Sequence, residues 1–231
     1  MIFEPLTWDC GFFGKSIGRI VISPEEPAEE LRRVLLSSRF DCCYLFLPHP
    51  LPEEFRQLLL ETGAVCQDWK TLFVKNRLER HSALHHEIAL VSTVNEECYR
   101  LAIASGWMSR FETDERFRPY RSALYRLWVD KCLADPCGRV WELRRQGKLQ
   151  GMMCASCSHE TGHLELIAVA PESCGGGVGS AFMRVLENFY LDMAGTRAEV
   201  VTQHENTGAC RLYEKSGYEI ESITEIWHLW S

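Results

Sequence analysis

Residues 168–182 read AVAPESCGGGVGSAF: an apolar run meets a proline, then glycine stands at 175, 176, 177 and 179, then a helical pattern begins. The chain must pass from a strand to a helix through a turn almost without side chains. Glycine is needed where the backbone takes a positive φ or where another molecule must touch the main chain. At a helix start, such a turn exposes successive N–H groups, and the helix dipole adds partial positive charge, a combination that receives anions. An ordinary tight turn uses the same residues, so the flanking pattern has to decide between the two.

Two phosphate-binding signatures fail at this turn. A Walker loop requires Lys-Ser or Lys-Thr after the last glycine, and neither is present. In the dinucleotide fingerprint, the third glycine falls on Ser180 when counted from Gly175 and on Phe182 when counted from Gly177. The pattern also shows no parallel strand-helix-strand unit around the turn. A bare backbone cradle for a diphosphate remains.

Composition limits the partners. A chain of 231 residues with 46% hydrophobic content buries a substantial core, and a formal net charge of -7 gives no support to a general nucleic-acid binder. No run approaches the ~20 apolar residues of a membrane helix. The opening MIFEPLTWDCGFFGK lacks the basic-then-apolar order of a signal peptide. The expectation is a cytoplasmic chain working without nucleic acid or membrane, its anionic ligands met by local arginines. Eleven cysteines, an odd number, argue against a disulfide framework and for small buried side chains.

Apolar periodicity lapses and polarity rises over VKNRLERHSALHHE, residues 74–87. That places an N-terminal partial α/β domain at 1–80 and a main domain at 85–231. In the first, FDCCYLFLP and QDWKTLFV read as strands around a short helix ending at Gly63. In the second, NEECYRLAIAS and RPYRSALYRLWVDKCLA read as helices. VWELRR and LQGMMCASCSH then form a hairpin around Gln146-Gly147-Lys148, and HLELIAVA is a third strand before the glycine turn. The next helix carries Val178, Phe182, Val185, Leu186, Phe189 and Met193 on one face, and a strand, a helix and a final strand or pair close the chain. A faint echo relates LLLETGAVCQDWKTLFV to LYEKSGYEIESITEIW, with Gly63 in the place of Gly217 and Leu59 in that of Tyr213; it suggests that the first domain is a degenerate half of the second.

About thirty residues past the turn come Asn206, Ala209, Leu212, Tyr213, Gly217 and Tyr218, in the pattern N-x-x-A-x-x-L-Y-x-x-x-G-Y. With the strand ending V-A-P and the loop Cys174-Gly-Gly-Gly-Val-Gly179, this resembles the GNAT superfamily of acyl-CoA N-acyltransferases. The loop of that family usually opens with Arg or Gln where this chain has Cys174. PLTWDCGFFGK, Ser109-Arg110-Phe111 and VVTQHENTGACRLYEKSGYEIES extend the likeness toward its nucleotide amino-sugar N-acetyltransferases, the dTDP-fucosamine type.

The resemblance implies an α/β (α+β) GNAT fold, a central mixed, mostly antiparallel sheet flanked by helices with the smaller N-terminal domain beside it. It implies acetyl-CoA as co-substrate and direct transfer, in a ternary complex, to the amino group of a nucleotide-linked deoxysugar. Cys174, Gly175, Gly176, Gly177, Val178, Gly179 and Ser180 are then the diphosphate loop. A backbone N–H near Ala168 or Val169 holds the thioester carbonyl, and Asn206 and Ala209 border the pantetheine arm. Tyr213 gives a proton to the leaving thiolate, a task a phenol performs because it stays protonated at neutral pH. Glu165 stands where a carboxylate of many such enzymes takes the amine proton. A core tyrosine, a helix N-cap and a surface glutamate are the plainer alternatives for Tyr213, Asn206 and Glu165.

For the acceptor, the segment SRFETDERFRPYRSALYR at 109–126 offers Arg110, Phe111, Arg116, Arg118 and Tyr120, since arginine pairs bidentately with phosphate and stacks on rings. A solvated helix face, with Glu112, Asp114 and Glu115 cancelling much of the charge, is the plainer alternative. Another small amine, a protein N-terminus, or acyl-CoA binding without transfer are the rival functions, and a homodimer is left open. No metal is expected. Cys154 and Cys157 have zinc-like spacing, but residues three apart on a strand face opposite ways.

Overall fold

The computed structural model describes residues 2–22, 26–82 and 87–231, with backbone only at Ile2. Two compact units emerge. One holds Met1–Thr71, Gln203–Glu205 and Ser222–Ser231; the other holds Leu72–Thr202 and Asn206–Glu221. The division thus falls between Thr71 and Leu72, ahead of the expected break, part of which lies outside the described residues. Strand-forming residues continue to Lys75 because Phe73 and Val74 are buried side chains that need a core.

In the first unit, β1 (Ile2–Pro5), α1 (Thr7–Phe13), β2 (Ile17–Val21), α2 (Ala28–Ser37), β3 (Cys42–Pro48) and α3 (Glu53–Glu61) precede β4 (Val65–Lys75), which runs on into the second. Strand β1 pairs antiparallel with β2, β2 parallel with β3, and β3 antiparallel with the last strand of the chain from Thr224↔Pro48 to Trp230↔Cys42. Leu31, Leu45, Phe55, Leu59 and Trp227 fill the core. The strands at 42–48 and 65–75 and the helix between them follow the pattern read from the sequence. The elements before them were not read and are additions, although α2 sets Leu31 and Leu35 four residues apart on one buried face.

The second unit contains β5 (Ile88–Val91), α4 (Glu96–Ser105), α5 (Arg110–Thr113), a 3-10 turn (Arg118–Tyr120) and α6 (Arg121–Ala134). These lead into β6 (Gly138–Arg145), β7 (Lys148–Ser158) and β8 (Thr161–Val169), and then α7 (Val178–Asp192), β9 (Arg197–Gln203), α8 (Thr207–Lys215) and β10 (Glu219–Trp230). The order β9-β8-β7-β6-β5 makes a mixed sheet, antiparallel except between β8 and β9. Helix-forming segments were legible from their apolar spacing; the short β5 and α5 were not. The end of the chain is one strand, not two.

Helices cover both faces. Met152, Cys154, Leu166 and Ala168 pack with Ala102 of α4 and Val129 of α6, whereas Met153, Ala155, Cys157 and Leu164 pack with Phe182 and Leu186 of α7. Cys154 and Cys157 therefore face opposite layers, as strand alternation requires. All eleven cysteines are free thiols. Among the described residues no helix is long and apolar enough to cross a membrane.

One expectation is overturned. Because β8 pairs parallel with β9 and α7 connects them, the glycine turn does sit in a parallel strand-helix-strand unit. The glycine spacing still fails the dinucleotide fingerprint. The apolar alternation of 163–170 carries no mark of strand direction, which only the crossover helix sets.

Candidate active site

The ladder between β8 and β9 runs from Thr161↔Arg197 to Leu164↔Val200 and goes no further among the described residues. The cause lies on the other edge of β8. There Cys154 pairs with Leu166 while the next residue, Ala155, pairs with Leu164, so Glu165 is an extra residue, a β-bulge. The bulge turns Leu164 toward the α7 layer and Leu166 toward the α4 and α6 layer, although two residues normally share a face. Beyond it the parallel strands part, and residues 165–169 have no ladder partner on β9 among the described residues. Ala168 is buried and Val169 half-buried along this opening.

The glycine loop stands at the end of the same strand. Gly175 and Gly177 have φ of +78° and +80°, in the left-handed region, and a Cβ at either would meet open space. Conformation, not crowding, selects glycine here. Cys174 to Gly177 are all exposed. Gly177 caps α7 with no side-chain bond, so the first N–H groups of the helix have no intrahelical acceptor. This bare, open cradle fits a diphosphate. Cys174, standing where the family has Arg or Gln, turns its thiol to the Ala170 carbonyl at 3.6 Å and leaves the loop surface to the backbone.

Helix α8 is held close to this loop. A Cβ on Gly179 would come to 3.0 Å from Leu212 Cδ2, a tight contact that the leucine side chain would have to give way to. Asn206 caps α8 by accepting from the Ala209 N–H at 3.2 Å. Tyr213 is buried, its ring 5.5 Å from Phe73 and 6.3 Å from Tyr218, in one cluster with Val178 and Phe182 of α7. Burial drives its phenol far above the ordinary tyrosine range, so the proton stays on.

Glu165 is exposed and accepts from Ser156 Oγ at 2.7 Å. It lines a cavity of about 350 Å³ with Trp128, Lys131, Asp135, Cys154 and Ser156. Trp128 also ties this cavity to the arginine-rich segment, its ring 5.9 Å from Phe111. Glu112, Asp114 and Glu115 offset part of the charge of the segment's five arginines. Arg118 lies 3.4 Å and Arg121 2.8 Å from Glu112, and Arg110 lies over the Phe111 ring at 4.5 Å. Phe111 is buried, with Phe117 edge-on, while Arg116 is exposed and Tyr120 half-buried. A diphosphate drawing on Arg118 or Arg121 would have to displace Glu112.

The structure thus brings Glu165, Ala168, Val169, the loop 174–180 and α8 into one unit, with the arginine segment adjoining through Trp128. Trp128 and Ser156 were missed by sequence reasoning: a tryptophan on a helix and a serine on a strand carry no signal until the bulge brings them to one cavity. Among the described residues no group of three or more His, Cys, Asp or Glu side chains is placed to hold a metal ion.

A parallel strand pair opened by a bulge, with a side-chain-free helix start beside it, defines an α/β fold with an anion-accepting loop. The acetyltransferase (GNAT) family model matches residues 102–218, just over half of the chain, and the chain belongs to that family. An uncharacterized N-acetyltransferase of Methanocaldococcus jannaschii is 33% identical over 73 residues, 31% of this chain and 47% of the relative. The chain therefore spans about half the length of the curated relative it matches. Among solved structures, a GCN5-related N-acetyltransferase from Sphaerobacter thermophilus aligns with a TM-score of 0.59 at 12% identity, over 98% of this chain and 75% of the other. A conserved protein of unknown function from Staphylococcus epidermidis aligns with a TM-score of 0.63 at 13% identity, over 94% and 85%. At these identities the likeness is one of fold.

Proposed function

We propose that the protein transfers the acetyl group of acetyl-CoA directly, in a ternary complex, to an amine, the acceptor being the amino group of a nucleotide-linked deoxysugar such as dTDP-4-amino-4,6-dideoxygalactose. The observation that carries the transfer reading is the parting of β8 and β9 after Leu164↔Val200, which opens unpaired main chain beside an exposed glycine loop.

Bound acetyl-CoA supplies the activated thioester. The N–H groups of residues 175–180 hold its diphosphate, and a free N–H near Ala168 or Val169 polarises the carbonyl. Asn206 holds the start of α8 in place. Glu165 accepts the proton of the acceptor ammonium, directly or through one water, and Ser156 orients the carboxylate. Tyr213 keeps its proton in the buried cluster and delivers it to the departing sulfur. On this reading Arg110, Phe111, Arg116, Arg118 and Tyr120 meet the nucleotide, and likeness to the nucleotide amino-sugar enzymes supports that acceptor.

One observation favours a second acceptor class. The cavity at Glu165 holds about 350 Å³, and two arginines nearby are already paired with Glu112, an arrangement suited to a small amine without phosphate. Thiol release from acetyl-CoA with dTDP- and UDP-4-amino sugars, polyamines and peptides separates the readings. The first predicts turnover only with the sugar nucleotides. Turnover with a free polyamine establishes the second, and saturable coenzyme binding with no thiol release from any amine makes the protein an acyl-CoA-binding module.

A further inference from the structure

Three cations of this acidic chain have no hydrogen-bond or ion-pair partner among the described residues and line one cavity of about 690 Å³: Arg77, Arg184 and Lys215. The Lys75 ammonium also faces this cavity but is neutralised by Glu187 at 2.8 Å and bonded to the Ser216 carbonyl at 2.9 Å. Glu79 and Glu219, both exposed, are the remaining carboxylates, so three free cations stand against two acids. Unpaired positive charge gathered in a concave site marks a place for an anion.

The position of the cavity states which anion. Ser180, in the first turn of α7, lines it, and Arg184 follows one turn later. The seven steps from Gly177 to Arg184 cover ~10 Å of helix axis. Side chains on a helix lean toward its N-terminus, so Arg184 reaches back toward the glycine loop. The ribose of coenzyme A carries its diphosphate on C5′ and a separate phosphate on C3′. A coenzyme whose diphosphate sits at the loop therefore places its third phosphate within a turn or two of helix from it.

We propose that Arg77, Arg184 and Lys215 bind the 3′-phosphate of coenzyme A and make the protein discriminate it from dephospho-coenzyme A. The inference rests on the reading of the glycine loop as the diphosphate site. Arg77 lies outside the matched segment 102–218, just past the end of β4. A strand from before the family segment thus equips the site with a specificity that segment does not hold alone.

Calorimetric titration of the full chain with coenzyme A, dephospho-coenzyme A and adenosine 3′,5′-bisphosphate tests this. Dephospho-coenzyme A is expected to bind at least ~10-fold more weakly than coenzyme A, about 1.4 kcal/mol. Arg77→Gln, Arg184→Gln and Lys215→Gln, each melting at the wild-type temperature, should each weaken coenzyme A ~3- to 10-fold, in line with a partly exposed charge-assisted bond, and leave dephospho-coenzyme A unchanged. Equal binding of the two coenzymes, or variants that weaken both alike, overturns the phosphate assignment and leaves the loop reading intact. Binding of neither coenzyme removes the loop reading itself, and the inference with it.

Discussion

The Lys75 ammonium of β4 lies 2.8 Å from the Glu187 carboxylate of α7, an ion pair whose side chains are 12% and 3% exposed. Glu187 also accepts from the Glu79 N–H at 2.9 Å and faces His81 Nε2 at 3.5 Å. The carboxylate is thus a hub that holds residues 75–81 to the helix following the glycine loop. Removing one partner of a buried pair strands a charge. Lys75→Met should lower the free energy of unfolding by ~3–5 kcal/mol, and Lys75→Met with Glu187→Leu should recover most of that loss. Urea denaturation measures both. An unchanged midpoint in the single variant would mean that solvent already compensates the carboxylate.

Gly175 and Gly177 hold left-handed backbone in an open loop, so alanine at either brings backbone strain without a clash. Gly177→Ala should cost about 1–2 kcal/mol of stability and weaken coenzyme A about tenfold or more, by turning N–H groups away from the ligand. Gly179→Ala acts differently: its methyl meets Leu212 and pushes α8, so turnover should fall more than coenzyme affinity. Titrations of the folded variants, with matched thiol-release rates, distinguish the two.

Tyr213→Phe removes one hydroxyl from a packed core and keeps the ring. The expected result is a drop in kcat of ~10²-fold or more, with the KM for acetyl-CoA within about threefold. Full turnover at neutral pH would leave Tyr213 as a core residue only.

Glu165→Gln tests the opposite proton. The amide keeps the hydrogen bond from Ser156 but accepts no proton, so kcat/KM for the amine should fall ~10²-fold at neutral pH. As pH rises and the free amine becomes the major form, the deficit should shrink. A deficit constant across pH would assign Glu165 to positioning the acceptor.

Tyr190, Tyr213 and Tyr218 are all pushed well above the ordinary phenol range, burial being the main cause, and the hydroxyls of Tyr190 and Tyr218 are buried without a hydrogen-bond partner among the described residues. The unfolded chain loses these protons near pH ~10, whereas the folded chain keeps them. Above that pH the unfolded state binds fewer protons, so stability falls as pH rises. Urea midpoints should begin to fall near pH ~8.5, where thiols held protonated by burial such as Cys66 and Cys98 ionise in the unfolded chain, and should fall more steeply between about pH 10 and 11. In the folded protein these three of the seven tyrosines should ionise only together with unfolding, as read by phenolate absorbance.

Much of this was open to reading in the chain itself. The apolar spacing of 178–193 and the glycines before it specify a helix with a bare start, because helix periodicity and positive φ are local properties. Glycine at 63 and at 217, with φ of +79° and +80°, closes a helix before a strand in both echoed segments. The short strands at 2–5 and 17–21 escaped notice because four or five residues carry a weak pattern, whereas α2, with Leu31 and Leu35 on one face, was legible and was passed over.

What the sequence determined by itself was most of the longer local elements after residue 40, the family motif and the glycine cradle, all properties of neighbouring residues. Only the tertiary structure decided that Glu165 is the extra residue of a bulge, that β8 and β9 part beyond it, and that Lys75 meets Glu187 across 112 positions. It also gathered Arg77, Arg184 and Lys215 around one cavity. Strand register and buried charge pairing depend on which distant segments share a core, and no local periodicity encodes that choice.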